Sequence, residues 1–401
     1  MKKLFALLLA AMMIFGMAAC GTSAQGDDAK TSDLKVGFIF LHDENSTYDK
    51  NFIDAAKAAC ENMGVTMVQK TQIPESNACY EAAVELIEVE GCSIIFADSF
   101  GHESFLMQAA KEYPNVQFCH ATGTQAHTAT DLKNFHNAFA SIYQGRYAAG
   151  VVAGMKLNEM IDSGEITAEQ AKMGYVGAFT FAEVISGYTS FYLGAKSVCP
   201  SVTMDVKFTG SWYDETKEKQ AAEALIAGGC VLISQHADSM GAPTACENAG
   251  VPNVSSNGST AAACPETFLI SSRINWVPYF EYMITQVKNG QAIDVDWTGT
   301  LATGSVALTD MGKNVAEGTA EKLEEVLAGL NNGSINVFDT ANFTVNGETL
   351  TSYMADVDTD PAYEKDTEAI IDGVFQESKF RSGPYFDVEI DGITLLDRNY
   401  G

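Results

Sequence analysis

The chain has 401 residues, 24 of them Lys or Arg and 52 Asp or Glu, for a formal charge of −28. So acidic a surface repels nucleic acid and anionic lipid, which excludes a polyanion binder. The length exceeds what one hydrophobic core usually organises, so two domains are expected.

Lys2 and Lys3 precede an uncharged apolar stretch, Leu4 to Ala19, that ends in small residues as a secretory signal does. It is too short for a membrane span of roughly 20 residues. Met17-Ala18-Ala19-Cys20-Gly21 then sets a cysteine directly after the cleavage zone. This resembles the lipobox of bacterial lipoproteins, in which the thiol is acylated. Residues 1–19 are read as a signal peptide, and residues 20–33 as the lipidated Cys20 and a polar, flexible tether. The expected location is extracytoplasmic, lipid-anchored to the cell membrane. A plain secretory signal with an incidental cysteine is the alternative.

From Leu34 the pattern is strand, loop, amphipathic helix, repeated. Leu34–Leu41 is a short apolar run suited to a buried parallel strand, and Asn51–Met63 follows at helical spacing, ending at Gly64. Val65–Val68, a helix near 76–89, Gly91–Phe96, a helix near 103–113 and Val116–Cys119 continue the alternation. A long small-residue helix, Ser141–Met160, carries Gly145, Gly150 and Gly154, which are read as close-packing positions since no phosphate-loop Lys-Ser/Thr follows. The alternation then restarts with Lys172–Gly177, a helix near 184–198, Val202–Phe208, Glu215–Ala227, Cys230–Ser234, a helix near 242–249 and Pro252–Val254. Such alternation indicates βαβ units and parallel sheets.

After Cys264 the order changes, and Phe268–Ser272 with the helix Trp276–Lys288 is read as a return to the first domain. The N-terminal lobe is therefore expected to hold 34–139 plus about 268–305, and the C-terminal lobe 140–267 plus about 306–401. Repeated crossings between lobes make a hinge. The eight cysteines after Cys20 form no C-x-x-C pair, and burial as small hydrophobes is the main reading. A pairing of Cys246 with Cys264, which flank one loop, stays open.

In open parallel sheets ligands lie beyond the carboxyl ends of the strands. That rule selects 42–48, 98–102, 120–123, 178–183, 210–214, 235–239 and 255–259. Aromatic faces there (Tyr48, Phe100, Trp212) beside carboxylates and amides suit a flat, neutral, hydrogen-bond-donating ligand. Each also has a structural reading: Phe100 and Tyr48 as core caps, Glu183 as a helix N-terminal acid, Asp238 as a helix cap, Trp212 and Trp276 as interlobe packing. Catalysis finds no constellation. His236, Asp238 and Ser239 share one loop, whereas triad members usually come from separate segments, and no G-x-S-x-G elbow is present. No H-E-x-x-H or comparable metal spacing occurs, and no G-x-G-x-x-G follows the first strand. The reading is a binding protein, not an enzyme, without cofactor or metal.

An ordered set of segments carries a resemblance: the lipobox, His42–Tyr48, Ala97–Gly101, His120–Gly123, Gly145–Gly154, Gly174–Gly177, Glu183-Val-Ile, Gly210–Asp214, Gln235–Ser239 and Asn275–Tyr279. Together they resemble the basic membrane protein family of substrate-binding lipoproteins. The resemblance implies a type I periplasmic-binding-protein fold of two doubly wound parallel-sheet lobes joined by a multi-strand hinge. It implies a monomeric receptor of an ABC importer, with an ABC permease as partner and a purine base or nucleoside as ligand. Carried over by position, the site residues are Asp43, Asn45 and Tyr48, then Phe100, Glu183, Trp212 and Asp238, with Asn257 and Trp276 near the hinge. The first loop lacks the Phe-Asn pair associated with nucleosides, which favours free bases. A sugar receptor on the same fold, or a surface sensing lipoprotein without a transport role, are the alternatives.

Overall fold

A computed structural model describes residues 34–357, 362 and 364–398; the signal segment and Cys20 lie outside the described residues. The chain opens with β1 (Lys35–Ile39), α1 (Thr47–Met63), β2 (Thr66–Lys70), α2 (Asn77–Glu88), β3 (Ile94–Ala97), α3 (Glu103–Glu112), β4 (Gln117–Ala121) and β5 (Phe135–Ala140). Helix α1 begins one turn earlier than its apolar spacing suggests. The Ser46 hydroxyl accepts the Asp49 amide and caps the helix, which places Tyr48 in the first turn. Gly64, at φ 60°, ends the helix in the left-handed conformation.

Helix α4 (Ile142–Asp162) carries the chain to a second set: β6 (Lys172–Gly177), α5 (Ala182–Val198), β7 (Thr203–Phe208), α6 (Glu215–Ala227), β8 (Leu232–His236), α7 (Gly241–Ala249), β9 (Asn253–Ser256) and β10 (Phe268–Ile274). Helices α4 and α5 press together closely. A Cβ on Gly150 would overlap the Phe191 carbonyl, and one on Gly194 the Tyr147 carbonyl, so these glycines allow backbone-to-backbone contact.

Then follow α8 (Val277–Lys288), β11 (Asp296–Gly299), β12 (Val306–Leu308) and α9 (Thr319–Asn332). Two short ribbons pair β13 (Met354–Ala355) with β14 (Thr367–Glu368) and β15 (Ile370–Ile371) with β16 (Val374–Phe375), before β17 (Ile393–Leu395). The first sheet has the order β11-β5-β4-β3-β1-β2 and is parallel throughout. The second has the order β12-β10-β9-β8-β6-β7-β17, with only β12 antiparallel. Strand β17 covers the edge of β7, which would otherwise offer unpaired backbone groups.

The sheet order corrects one expectation. Residues 268–274 do not return to the first lobe but form β10, registered in parallel on β9. The return comes immediately after, and α8 packs against α1 while β11 joins β5. The chain thus crosses between lobes at Ser141, at Asn275–Trp276 and over 300–305. These hinge segments are hydrogen-bonded to one another: the Ser141 amide donates to the Gly299 carbonyl at 2.9 Å and the Asn275 amide to the Ser305 carbonyl at 2.7 Å.

Trp276 is a second correction. It is 1% exposed and stacks on Phe52 at 4.4 Å within the first lobe's core, beside Phe96 and Phe280. All eight described cysteines are buried free thiols, Cys246 and Cys264 included. Among the described residues no helix is long and apolar enough to cross a membrane.

Candidate ligand-binding site

In each sheet the strand order reverses between its first and third members, β1 and β3 in one lobe, β6 and β8 in the other. Such switch points open a crevice at the carboxyl ends of the strands. Here the two crevices face each other and close on a cavity lined from both lobes. Leu41, His42, Tyr48, Ser99, Phe100 and Thr122 line it from the first lobe, and Glu183, Trp212, His236 and Asp238 from the second.

One wall is aromatic. Trp212 meets Phe179 edge-on at 5.0 Å, Phe179 stacks on Phe181 at 5.2 Å, and Phe181 reaches Phe100 of the other lobe at 5.4 Å. Opposite, the Tyr48 hydroxyl donates to the Asp98 carbonyl at 2.7 Å, which fixes the ring. Burial, followed by the nearby Glu183 charge, raises the Tyr48 phenol well above its ordinary value and keeps it neutral.

Two of the polar lining groups are acids, Glu183 and Asp238. Glu183 Oε1 lies 3.3 Å from His236 Nε2. Burial, then the Arg146 charge, lowers the His236 pKa, so the ring is neutral and acts as a donor to Glu183 through Nε2. Asp238 is 4% exposed. Its backbone is tied down, with its amide donating to the Trp212 carbonyl at 3.0 Å and its carbonyl accepting the Thr47 amide at 2.9 Å. Its carboxyl group has no hydrogen-bond partner among the described residues. Burial, and next the Glu218 charge, raise its pKa well above the usual carboxylate range.

A second acid pair underlies the first-lobe wall. Burial would raise Asp49, but hydrogen bonds from His42 and Ser46 outweigh it and hold the group low. Burial and the Asp49 charge push Asp98 well up, so of the two Asp98 is the one that takes a proton first.

Five of the expected residues therefore meet: Tyr48, Phe100, Glu183, Trp212 and Asp238. Asp43 and Asn45 do not join them. They sit on an outer shelf with Gln72 and Tyr213, where Asn45 Nδ2 donates to Asp43 at 2.8 Å and Gln72 Nε2 does so at 2.8 Å. Asn257 is buried after β9 at φ 64°, its amide donating to the Ser272 carbonyl at 2.8 Å, and it is not among the cavity-lining residues. Leu41, His42, Ser99, Thr122 and His236 complete the lining and were not expected individually. All but Leu41 fall within the loops that the strand-end rule selected.

Two parallel-sheet lobes, hinged by three crossings and closed over a small-molecule cavity, define a solute receptor of the type I periplasmic-binding-protein fold. An ABC-transporter solute-binding protein from Aeropyrum pernix K1 superposes with a TM-score of 0.64 at 17% identity, covering 76% of this chain and 92% of that one. The chain belongs to the Bmp family, described as PnrA-like ABC transporter substrate-binding proteins, through residues 39–340. That family is one of transport receptors rather than a class of enzymes, and membership implies a small-molecule ligand and a permease partner.

Among curated relatives, a purine-binding protein of Brucella abortus (strain 2308) is 31% identical over 76% of this chain and 83% of its own length. A Haloferax volcanii protein provisionally named as glucose-binding is 30% identical over 62% of this chain and 60% of its own. A nucleoside-binding protein of Lactococcus lactis subsp. cremoris is 25% identical over 56% of this chain and 62% of its own.

Proposed function

We propose that the protein captures a purine, as the free base in preference to the nucleoside, and presents it to an ABC permease. It does so as a monomer outside the cell, held at the membrane through Cys20. The observation that carries the ligand reading is Asp238: a buried carboxyl group without a hydrogen-bond partner among the described residues, facing a cavity whose neighbouring wall is Trp212, Phe181 and Phe100. A buried acid is costly unless a donor reaches it. A flat heterocycle with ring N–H or amino groups supplies both the donor and a face for the aromatic wall.

No Lys or Arg lines the cavity, which disfavours phosphorylated or carboxylated ligands. The preference for a base follows from Asp43 and Asn45. The groups that would read ribose hydroxyls lie on the outer shelf, separated from the inner cavity by Leu41 and His42, which line both. Tyr48, Phe100, Glu183, Trp212 and Asp238 are the proposed contacts.

The test is titration calorimetry on the mature protein after unfolding and refolding to strip bound ligand, with adenine, adenosine and glucose. Adenine binding tighter than adenosine supports the reading. Binding of glucose with no response to either purine overturns it and favours the sugar reading that the Haloferax relative suggests.

A further inference from the structure

The family match ends at residue 340, but the described chain continues to 398 and does more than coat the second lobe. Residues 376–386 leave that lobe, touch the other and return. Their roots are in the second lobe: the Phe386 ring stacks on Phe338 at 4.1 Å and meets Phe375 at 4.8 Å. Ser186, on α5 one turn beyond Glu183, donates its hydroxyl to the buried Glu377 at 2.7 Å.

The tip is in the first lobe. There the Ser382 amide donates to Oδ2 of Asp296 on β11 at 2.8 Å, and His127 Nε2 lies 3.2 Å from the same oxygen. The Asp296 side chain is 6% exposed and Ser382 1%. Gly383 rests on the loop after β4, where an added Cβ would stand 3.0 Å from the Gly123 carbonyl oxygen and 3.4 Å from that of Thr122. Arg381 braces the tip from within, donating to the Gly383 and Pro384 carbonyls at 3.1 and 3.2 Å.

The contact falls where it matters to the cavity. Thr122 lines the cavity and holds φ 64°, a left-handed conformation that non-glycine residues keep only when their surroundings enforce it. We propose that residues 376–384 form an interlobe clasp, which positions Thr122 in the cavity wall and restrains opening of the cleft. The three hinge crossings allow the lobes to part; the clasp adds a non-covalent link beside the ligand. It sets how readily the closed form opens, and with it the lifetime of the bound state. The inference stands on the two-lobe geometry and does not depend on which ligand is bound.

The test uses Asp296→Ala, which removes the acceptor, and Ser382→Pro, which removes the donating N–H along with the Ser382 hydroxyl and fixes φ, in the mature protein. Small-angle scattering of the ligand-free protein should show a larger radius of gyration for both. Adenine dissociation, followed by stopped-flow fluorescence, should accelerate about tenfold, the scale of losing one charge-assisted hydrogen bond. Folded variants with unchanged radius and release rate, even with a lower melting temperature, would overturn the clasp. If adenine does not bind at all, the purine reading fails and scattering alone decides the clasp. As a converse, Thr124, whose Cγ2 stands 3.6 Å from a Cβ built on Gly383, allows a paired Thr124→Cys and Gly383→Cys variant that should, once oxidised, hold the ligand-free protein at the compact radius. Failure of the pair to crosslink, or expansion despite the crosslink, counts against the clasp.

Discussion

The Asp238 carbonyl accepts the Thr47 amide at 2.9 Å, so the loop that presents the cavity's unpaired acid is fastened to the first turn of α1 in the opposite lobe. The backbone contact closes the cleft while the carboxyl group stays available. In one residue, closure and recognition are joined.

Asp238→Asn should therefore weaken adenine binding by about tenfold or more, because the ligand's N–H donors favour the ionised carboxylate in the complex and an amide cannot supply that charge. The ligand-free variant should melt higher than the parent, since a buried acid without a partner is removed. Calorimetry and thermal melting check the two effects, which run in opposite directions. In the parent, adenine affinity should fall as pH is lowered, because protonation turns the Asp238 acceptor into a donor.

Two tryptophans separate binding from folding. Trp212→Ala should cost about 1–3 kcal/mol in adenine binding, the usual worth of a base–aromatic stack, with a modest change in melting temperature. Trp276→Ala should cost about 3–5 kcal/mol of stability, because its ring is enclosed by Phe52, Phe96 and Phe280. A loss of affinity in the Trp276 variant larger than in the Trp212 variant would contradict the placement of the site.

Glu218 offers a test by pH. Burial pushes its pKa to about 7, although the Asp214 and Ser239 amides donate to it. The folded protein thus keeps a proton that the unfolded chain has lost, and this contribution to stability declines as pH rises from about 4.3, the unfolded value, towards 7. Against the parent, Glu218→Gln should gain relative melting temperature over that interval and level off above it. A flat difference between pH 4 and 8 would show that Glu218 titrates normally.

The α4–α5 contact should tolerate no added atom. Gly150→Ala sets a methyl group against the Phe191 carbonyl and should destabilise the second lobe by about 1–3 kcal/mol. Chemical denaturation reads the loss directly.

Short apolar runs such as Ile94-Ile-Phe-Ala97 announce themselves as buried parallel strands, and the strand-end rule then finds most of the cavity loops. Strand β5 does not, since Phe-His-Asn-Ala-Phe-Ala interrupts its apolar character. His136 and Asn137 are accommodated by the Asp294 carbonyl and by Glu103, partners far away in sequence. The lobe of strand β10 is not legible in the sequence, because its pairing with β9 leaves no local trace. Trp276 and Trp212 each stand shortly after a strand and directly after a polar residue, Asn275 and Ser211, and only packing against α1 distinguishes the core residue from the cavity one. Asp43 follows the first strand as the rule requires, but Asn45 and Gln72 hold its side chain on the outer shelf.

The burial of every described cysteine has a practical consequence. In the mature chain freed of Cys20, a single thiol engineered onto the rim of the cleft would be the most accessible target for a maleimide dye. Closure over ligand would change the polarity around such a dye, turning the receptor into an optical biosensor whose signal needs no turnover and no second protein.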